Sequence, residues 1–277
     1  METKISIFKG KQVRKTIHNN EWWFVVNDVV EVLTDSANVA DYIKKIRSRD
    51  EELAKGWGQI VTPLLIETSG GRQKLNCANT EGMFRIVQSI PSPKAEPFKR
   101  WLARVGYERV KEIEDPELGT KRTRALYKAK GYSDGWIEKR MRGIAIREEL
   151  TDEWQKRGAK EERDYSILTA EISRATFGMT PSEYQDFKGL DRQNLRDHMN
   201  DLELIFNMLG ERATTEITRT EDSQGMPKLK SDAQEGGQIA GDAKRKLEKR
   251  LGRPVTSNKN YLKGSENRRL LKNRGKS

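Results

Sequence analysis

One cysteine and two histidines in 277 residues leave little room for metal or redox chemistry. Cys77 alone cannot close an internal disulfide, and with His18 and His198 it falls short of a Cys/His zinc site. Long apolar runs are also missing. Nothing approaches the roughly 18 consecutive apolar residues of a membrane helix, and only 34% of residues are hydrophobic, with a mean hydropathy of -0.87. Residues 1–10 carry no apolar core of a secretory signal, so the expected location is cytoplasmic, away from any membrane. The phosphate-cradling Gly-x-x-x-x-Gly-Lys-Ser/Thr loop, the Gly-x-Ser-x-Gly elbow, His-Glu-x-x-His and a calcium loop are all absent. No enzyme class and no cofactor is therefore indicated.

What the chain does have is charge, placed unevenly. Its 53 Lys and Arg exceed its 42 Asp and Glu, giving a net charge of +11. Residues 1–112 hold 19 basic and 14 acidic side chains, residues 113–240 hold 21 and 25, and residues 241–277 hold 13 and 3. Nearly all the excess falls in the last segment, where Lys244, Arg245, Lys246, Lys249, Arg250 and Arg253 lead into Arg268, Arg269, Lys272, Arg274 and Lys276. Such a segment attracts phosphate. It reads either as a nucleic-acid contact or as a solvated, disordered end.

Strand patterning is confined to the amino-terminal part. Ile5, Ile7 and Phe8 precede the run at 21–26, with His18, Asn19 and Asn20 as turn formers, and 60–67 pairs with 73–77 across Ser69, Gly70 and Gly71 in a second hairpin. Asn27 or Asp28 can cap a short helix through Val29, Val30 and Leu33. Val39, Tyr42, Ile43 and Ile46 make one apolar helical face, as do Met83, Phe84, Val87 and Ile90, and then Phe98, Trp101, Leu102 and Val105 behind Pro97. Trp23 and Trp101 read as core. Beyond Asp115-Pro116 the pattern is helical: Ser133 caps a helix with Ile137, Met141 and Ile144, and Tyr165, Leu168 and Ile172 mark the next. Thr180-Pro-Ser-Glu is a capping box. Met199, Leu202, Phe206 and Leu209 form a stripe, 224–230 reads as a loop, and Ser231 caps a last helix with Ile239, Ala243, Leu247 and Leu251 inward. The fold class is α+β: an amino-terminal α+β domain at 1–114, a linker at 115–120, a helical region at 121–252 and a basic, disordered tail at 253–277.

No catalytic constellation emerges. His198 on a predicted helix lacks a nucleophile in register, Cys77 ends an apolar strand, and both read as structural. Glu148-Glu149 and Glu161-Glu162 read as solvated ion-pair faces, although a nuclease whose carboxylates converge only in the fold stays open as an alternative. The recurring feature is cations near aromatics. Lys44, Lys45, Arg47 and Arg49 on one helix, Lys99, Arg100 and Arg104 on another, and Lys244, Arg245, Lys246, Lys249 and Arg250 near the end are the candidate phosphate contacts.

Three segments carry a resemblance. EWWFVVNDVVEVL at 21–33, NTEGMFRIV at 79–87 and KAEPFKRWL at 94–102 resemble the BRO-N domain of prophage antirepressors and baculovirus BRO proteins, across roughly residues 4–114. That resemblance implies DNA binding or relief of repression in phage circuits, and no catalytic residue. KGLDRQNLRDHM at 188–199, ELIFNMLGERATTE at 203–216 and the stretch 241–255 are similar to the helical carboxyl half of the DNA-damage-inducible protein D family, whose SOS-response role implies RecA recombinase as a partner. The reading is a non-enzymatic phage antirepressor or SOS-type transcription regulator that binds DNA, a repressor or a RecA filament. A structural oligomeric scaffold is the third alternative.

Overall fold

Asn19 and Asn20 both sit at positive φ, 49° and 63°, the geometry of a two-residue turn whose twist matches the strands it joins. The strands are β2 (Lys11–His18) and β3 (Glu21–Val25), and β2 pairs on its other side with β1 (Lys4–Phe8). β4 (Val61–Thr68) and β5 (Gly71–Asn79) complete an antiparallel sheet in the order β1-β2-β3-β5-β4. The computed structural model describes residues 4–8, 11–34, 36–191 and 193–262 and divides into two units, Met1–Pro116 and Glu117–Ser277.

Five helices belong to the first unit: α1 (Val26–Thr34), α2 (Val39–Arg49), α3 (Glu51–Ile60), α4 (Thr80–Gln88) and α5 (Glu96–Glu114). Val26, Val30 and Leu33 of α1, Ile46 of α2, Leu53 of α3 and Met83, Ile86 and Val87 of α4 form its core. Two elements had no counterpart in the sequence reading, β2 and α3. β2 carries Lys11, Arg14 and Lys15 among few apolar residues, and α3 has only Leu53, Trp57 and, at its last position, Ile60 on its inward side. Asp28 does not cap a helix. It lies inside α1 and takes Arg14 in a bidentate pair, Nε to Oδ2 at 2.8 Å and Nη2 to Oδ1 at 2.6 Å, joining α1 to β2.

Asp50 holds the corner between α2 and α3. Its Oδ1 accepts from the Leu53 amide at 2.9 Å and Arg85 Nη2 at 2.8 Å, and Oδ2 accepts from Ser89 Oγ at 2.5 Å. The Ser89 hydroxyl, then the Leu53 amide and Arg85, draw its carboxyl down to about 2. α5 departs from expectation. None of its residues is buried, and Trp101 is 47% exposed, packed edge-on against Phe84 and at a tilt to Phe98 rather than in the core. Trp23 is half-buried.

The second unit is all helical: α6 (Pro116–Lys130), α7 (Asp134–Lys156), α8 (Glu162–Phe177), α9 (Pro181–Phe187), α10 (Asp201–Thr220) and α11 (Gly225–Leu251), with a 3-10 turn at Leu195–His198. Ser133 caps α7, and Thr180 with Glu183 forms the capping box of α9. Residues 116–120, read as linker, are helical, as are 225–230, read as loop. The inward faces of the last two helices also differ from the apolar stripes. Ile239, Leu251 and Leu209 are exposed, whereas α11 buries Gly236, Gly237, Ala240 and Gly241 and α10 buries Asn207, Gly210, Thr214 and Thr218. The cause is close approach. A Cβ on Gly236 would stand 2.5 Å from the Thr214 backbone nitrogen, and one on Gly241 would stand 2.4 Å from the Ala175 carbonyl of α8. Only small residues let three backbones meet like this.

The segment after α11 is not a free tail where it is described. Val255 is buried, and Ser257 N donates to Glu203 Oε1 at 2.9 Å. Lys188 Nζ donates to the carbonyls of Ser257 at 2.8 Å and Lys259 at 3.2 Å, and Tyr261 stacks on Tyr132. Residues 255–261 thus strap the helical unit. The tail residues Arg268, Arg269, Lys272, Arg274 and Lys276 lie outside the described residues.

Candidate nucleic-acid interface

α2 presents its cations because its apolar residues point the other way. Ile46 is buried and Val39, Tyr42 and Ile43 pack on the core, which leaves Lys44, Lys45, Ser48 and Arg49 exposed. Lys45 pairs with Asp41 at 2.8 Å, while Arg47 is half-buried with its guanidinium 4.7 Å from the Trp57 ring centroid. Among the described residues Lys44 and Arg49 have no acidic partner. On α5, Arg100 pairs with Glu96 at 3.1 Å, and Lys99 and Arg104 stand without one. Of the seven amino-terminal candidates, then, Lys44, Arg49, Lys99 and Arg104 carry charge not already spent inside the fold. Elsewhere in the same unit Lys15 lies 4.4 Å over the Trp22 ring on the β2–β3 hairpin, a cation and an aromatic on neighbouring strands.

The carboxyl-terminal candidates divide. Lys244 is buried at 8% exposure and reaches Glu248 at 3.2 Å, so its charge is already paired within α11. The signal was present as an i,i+4 pair. Arg245 pairs with Asp242. Lys246, Lys249 and Arg250 are exposed in the last turns of α11, where cations also complement the helix dipole.

The residues weighed for catalysis are buried or ion-paired. Cys77 is fully buried and its thiol is pushed up to about 11 by that burial. His198 belongs to the 3-10 turn, not to a helix, and is mostly buried. Glu149 is clamped by Arg219 at 2.7 Å and Arg212 at 2.6 Å, and Arg219 first, then Arg212, holds its carboxyl below the usual range. Among the described residues no three His, Cys, Asp or Glu side chains could hold a metal ion, and no helix is long and apolar enough to cross a membrane.

No curated protein is significantly similar to the chain, and nothing identifies the region beyond residue 110. Residues 12–110, which span β2 and most of α5, match the BRO family, N-terminal domain. The first unit therefore contains a BRO-N domain, of the family associated with phage and viral antirepressor-like DNA-binding proteins.

Proposed function

We propose that the chain is a non-enzymatic regulator of the antirepressor type that holds DNA by its phosphates through α2 and α5 of the BRO-N domain, with the exposed end of α11 adding to the field. The observation that carries this reading is the set of cations without acidic partners, Lys44, Arg49 and Arg104 exposed and Lys99 half-buried, on a domain of a DNA-associated family. Cations already neutralised inside the fold release no counterions from DNA, whereas these four do. Affinity is then chiefly electrostatic and weakly dependent on base sequence. The protein that the complex acts on is a repressor or, as the carboxyl-half resemblance implies, a RecA filament.

The test titrates full-length protein with duplexes of two unrelated sequences at several salt concentrations. Log affinity should fall linearly with log salt, by about 0.9 per neutralised phosphate, and the Lys44→Gln, Arg49→Gln, Lys99→Gln, Arg104→Gln quadruple variant should flatten that slope by up to about 3.6. A shortened chain ending after residue 262 spares the strap and isolates the contribution of the last residues. Unchanged binding by a folded quadruple variant overturns the assignment of these residues. No binding at about 50 mM salt overturns the DNA reading, and co-precipitation with repressor or RecA then decides for a protein partner.

A further inference from the structure

A cavity of about 390 Å³ opens in the helical unit where α8, α9, α10 and the 3-10 turn meet. Thr169 of α8, Arg196 of the turn and Asn207 of α10 help to line it. At its edge two guanidinium groups, one of them that of Arg196, share a single carboxylate. Arg196 Nη2 donates to Glu211 Oε1 at 2.6 Å, and Arg147 Nη1 stands 3.5 Å from the same oxygen while its other amino group donates to Thr169 Oγ1. Neither arginine has another acidic partner among the described residues. Glu211 is 1% exposed, so the cluster leaves one positive charge uncompensated next to the cavity. Burial draws the Arg147 guanidinium down to about 10 despite Glu211.

A second observation points into the same space. Asn207 lies one turn before Glu211 on α10, is 8% exposed and lines the cavity, and its amide, which makes no hydrogen bond among the described residues, is open to that space. An amide and a cation that lack protein partners at the edge of a cavity keep their hydrogen-bonding and charge capacity for what enters it. One bound group satisfies both: an oxyanion accepts from the amide and neutralises the excess cation. The cavity volume falls within the range of about 300–1,000 Å³ typical of small-molecule sites, which fits a metabolite rather than a polymer.

We propose that this cavity binds a small organic anion through its carboxylate or phosphate group, with Arg196 facing the oxyanion, Arg147 supplying charge from behind and the Asn207 amide donating to it. This ligand is separate from DNA held on the BRO-N domain. The test uses the full chain, calorimetric titration and thermal unfolding, with inorganic phosphate, uridine monophosphate and citrate as probes. At least one probe should bind and raise Tm. Phosphate as tight as the nucleotide assigns recognition to the oxyanion alone, a tighter nucleotide assigns part of it to the cavity walls, and citrate alone assigns it to a carboxylate. Asn207→Leu and Arg196→Gln should each weaken binding at least about tenfold. Asn207→Leu should leave the Tm of the ligand-free chain nearly unchanged, because the amide makes no protein hydrogen bond to lose, and Arg196→Gln leaves Arg147 and Glu211 matched one to one. The quadruple BRO-N variant should bind the probe as the parent does. Failure of all three probes at about 10 mM, or full affinity in both cavity variants, overturns the proposal.

Discussion

Lys188 and Glu203 form an ion pair with Nζ 3.0 Å from Oε2 and neither side chain exposed. Each partner is also fully engaged elsewhere. Lys188 donates to the carbonyls of Ser257 and Lys259, and Glu203 accepts from Tyr184 Oη at 2.6 Å and from the amides of Asn200 and Ser257. Burial lowers the Lys188 pKa, opposed by Glu203, and burial raises that of Tyr184. Removing one member strands the other. Lys188→Met should cost about 3–5 kcal/mol in denaturant unfolding, and the Lys188→Met, Glu203→Leu double variant should recover part of it. The single variant should also expose the 255–261 strap to proteolysis, visible as early cleavage there before the helices are cut.

Asp50 makes acid stability of the first unit measurable. Its folded carboxyl, near 2, lies below the ordinary 3.8, so on acidification the unfolded chain takes up the proton first. Its contribution is complete above about pH 4 and disappears as pH falls toward 2. Asp50→Asn keeps an acceptor for the Leu53 amide but loses the charge facing Arg85. Its Tm should lie below that of the parent near neutral pH, and the two should converge by about pH 2. A constant gap across that range rules out Asp50 as the group responsible.

Two glycines in helices should respond oppositely to alanine. Gly236→Ala drives a Cβ to within 2.7 Å of the Thr214 Cα, and α10 and α11 must separate to admit it. A loss of about 3 kcal/mol or more is expected. Gly135 near the start of α7 has nothing within 4 Å, so Gly135→Ala should be neutral or stabilise by up to about 1 kcal/mol. Chemical denaturation of both variants measures the contrast.

The Cys77 thiol should ignore disulfide reagents in the native state and react only at the rate of unfolding, because it is buried and held protonated. Cys77→Ser should be a mild destabilisation. Loss of DNA binding at unchanged Tm would reveal a role in function instead.

Local signals made much of this fold legible. The β4–β5 hairpin, the apolar face of α2 and the caps at Ser133 and Thr180 are written in adjacent residues. The faces of α10 and α11 are not, because hydrophobic periodicity follows Leu209, Ile239 and Leu251 while the contact that decides the packing needs glycine and threonine. Among the cations, composition identifies the residues but not their partners. The i,i+4 spacing of Asp41 and Lys45 marks one helical pair in advance, whereas the placing of Arg47 over the Trp57 ring of the next helix has no such spacing. The Arg147, Arg196 and Glu211 cluster joins residues from three elements and has no local signature at all.

α5 starts against the core through Ala95 and Phe98, yet every residue from 103 to 111 is exposed. Beyond Leu102 the helix has its own hydrogen bonds and pairs such as Arg109 with Glu112, and little apolar packing, to hold it. Its amides should therefore exchange with deuterium on a gradient, slowest near Phe98 and fastest toward Ile113, where opening needs little more than fraying. Any polyanion that lies along Arg100 and Arg104 meets the helix where this gradient begins. Binding there should pull the slow-exchanging boundary toward the carboxyl end, so the length of protected helix becomes a direct readout of where the ligand sits.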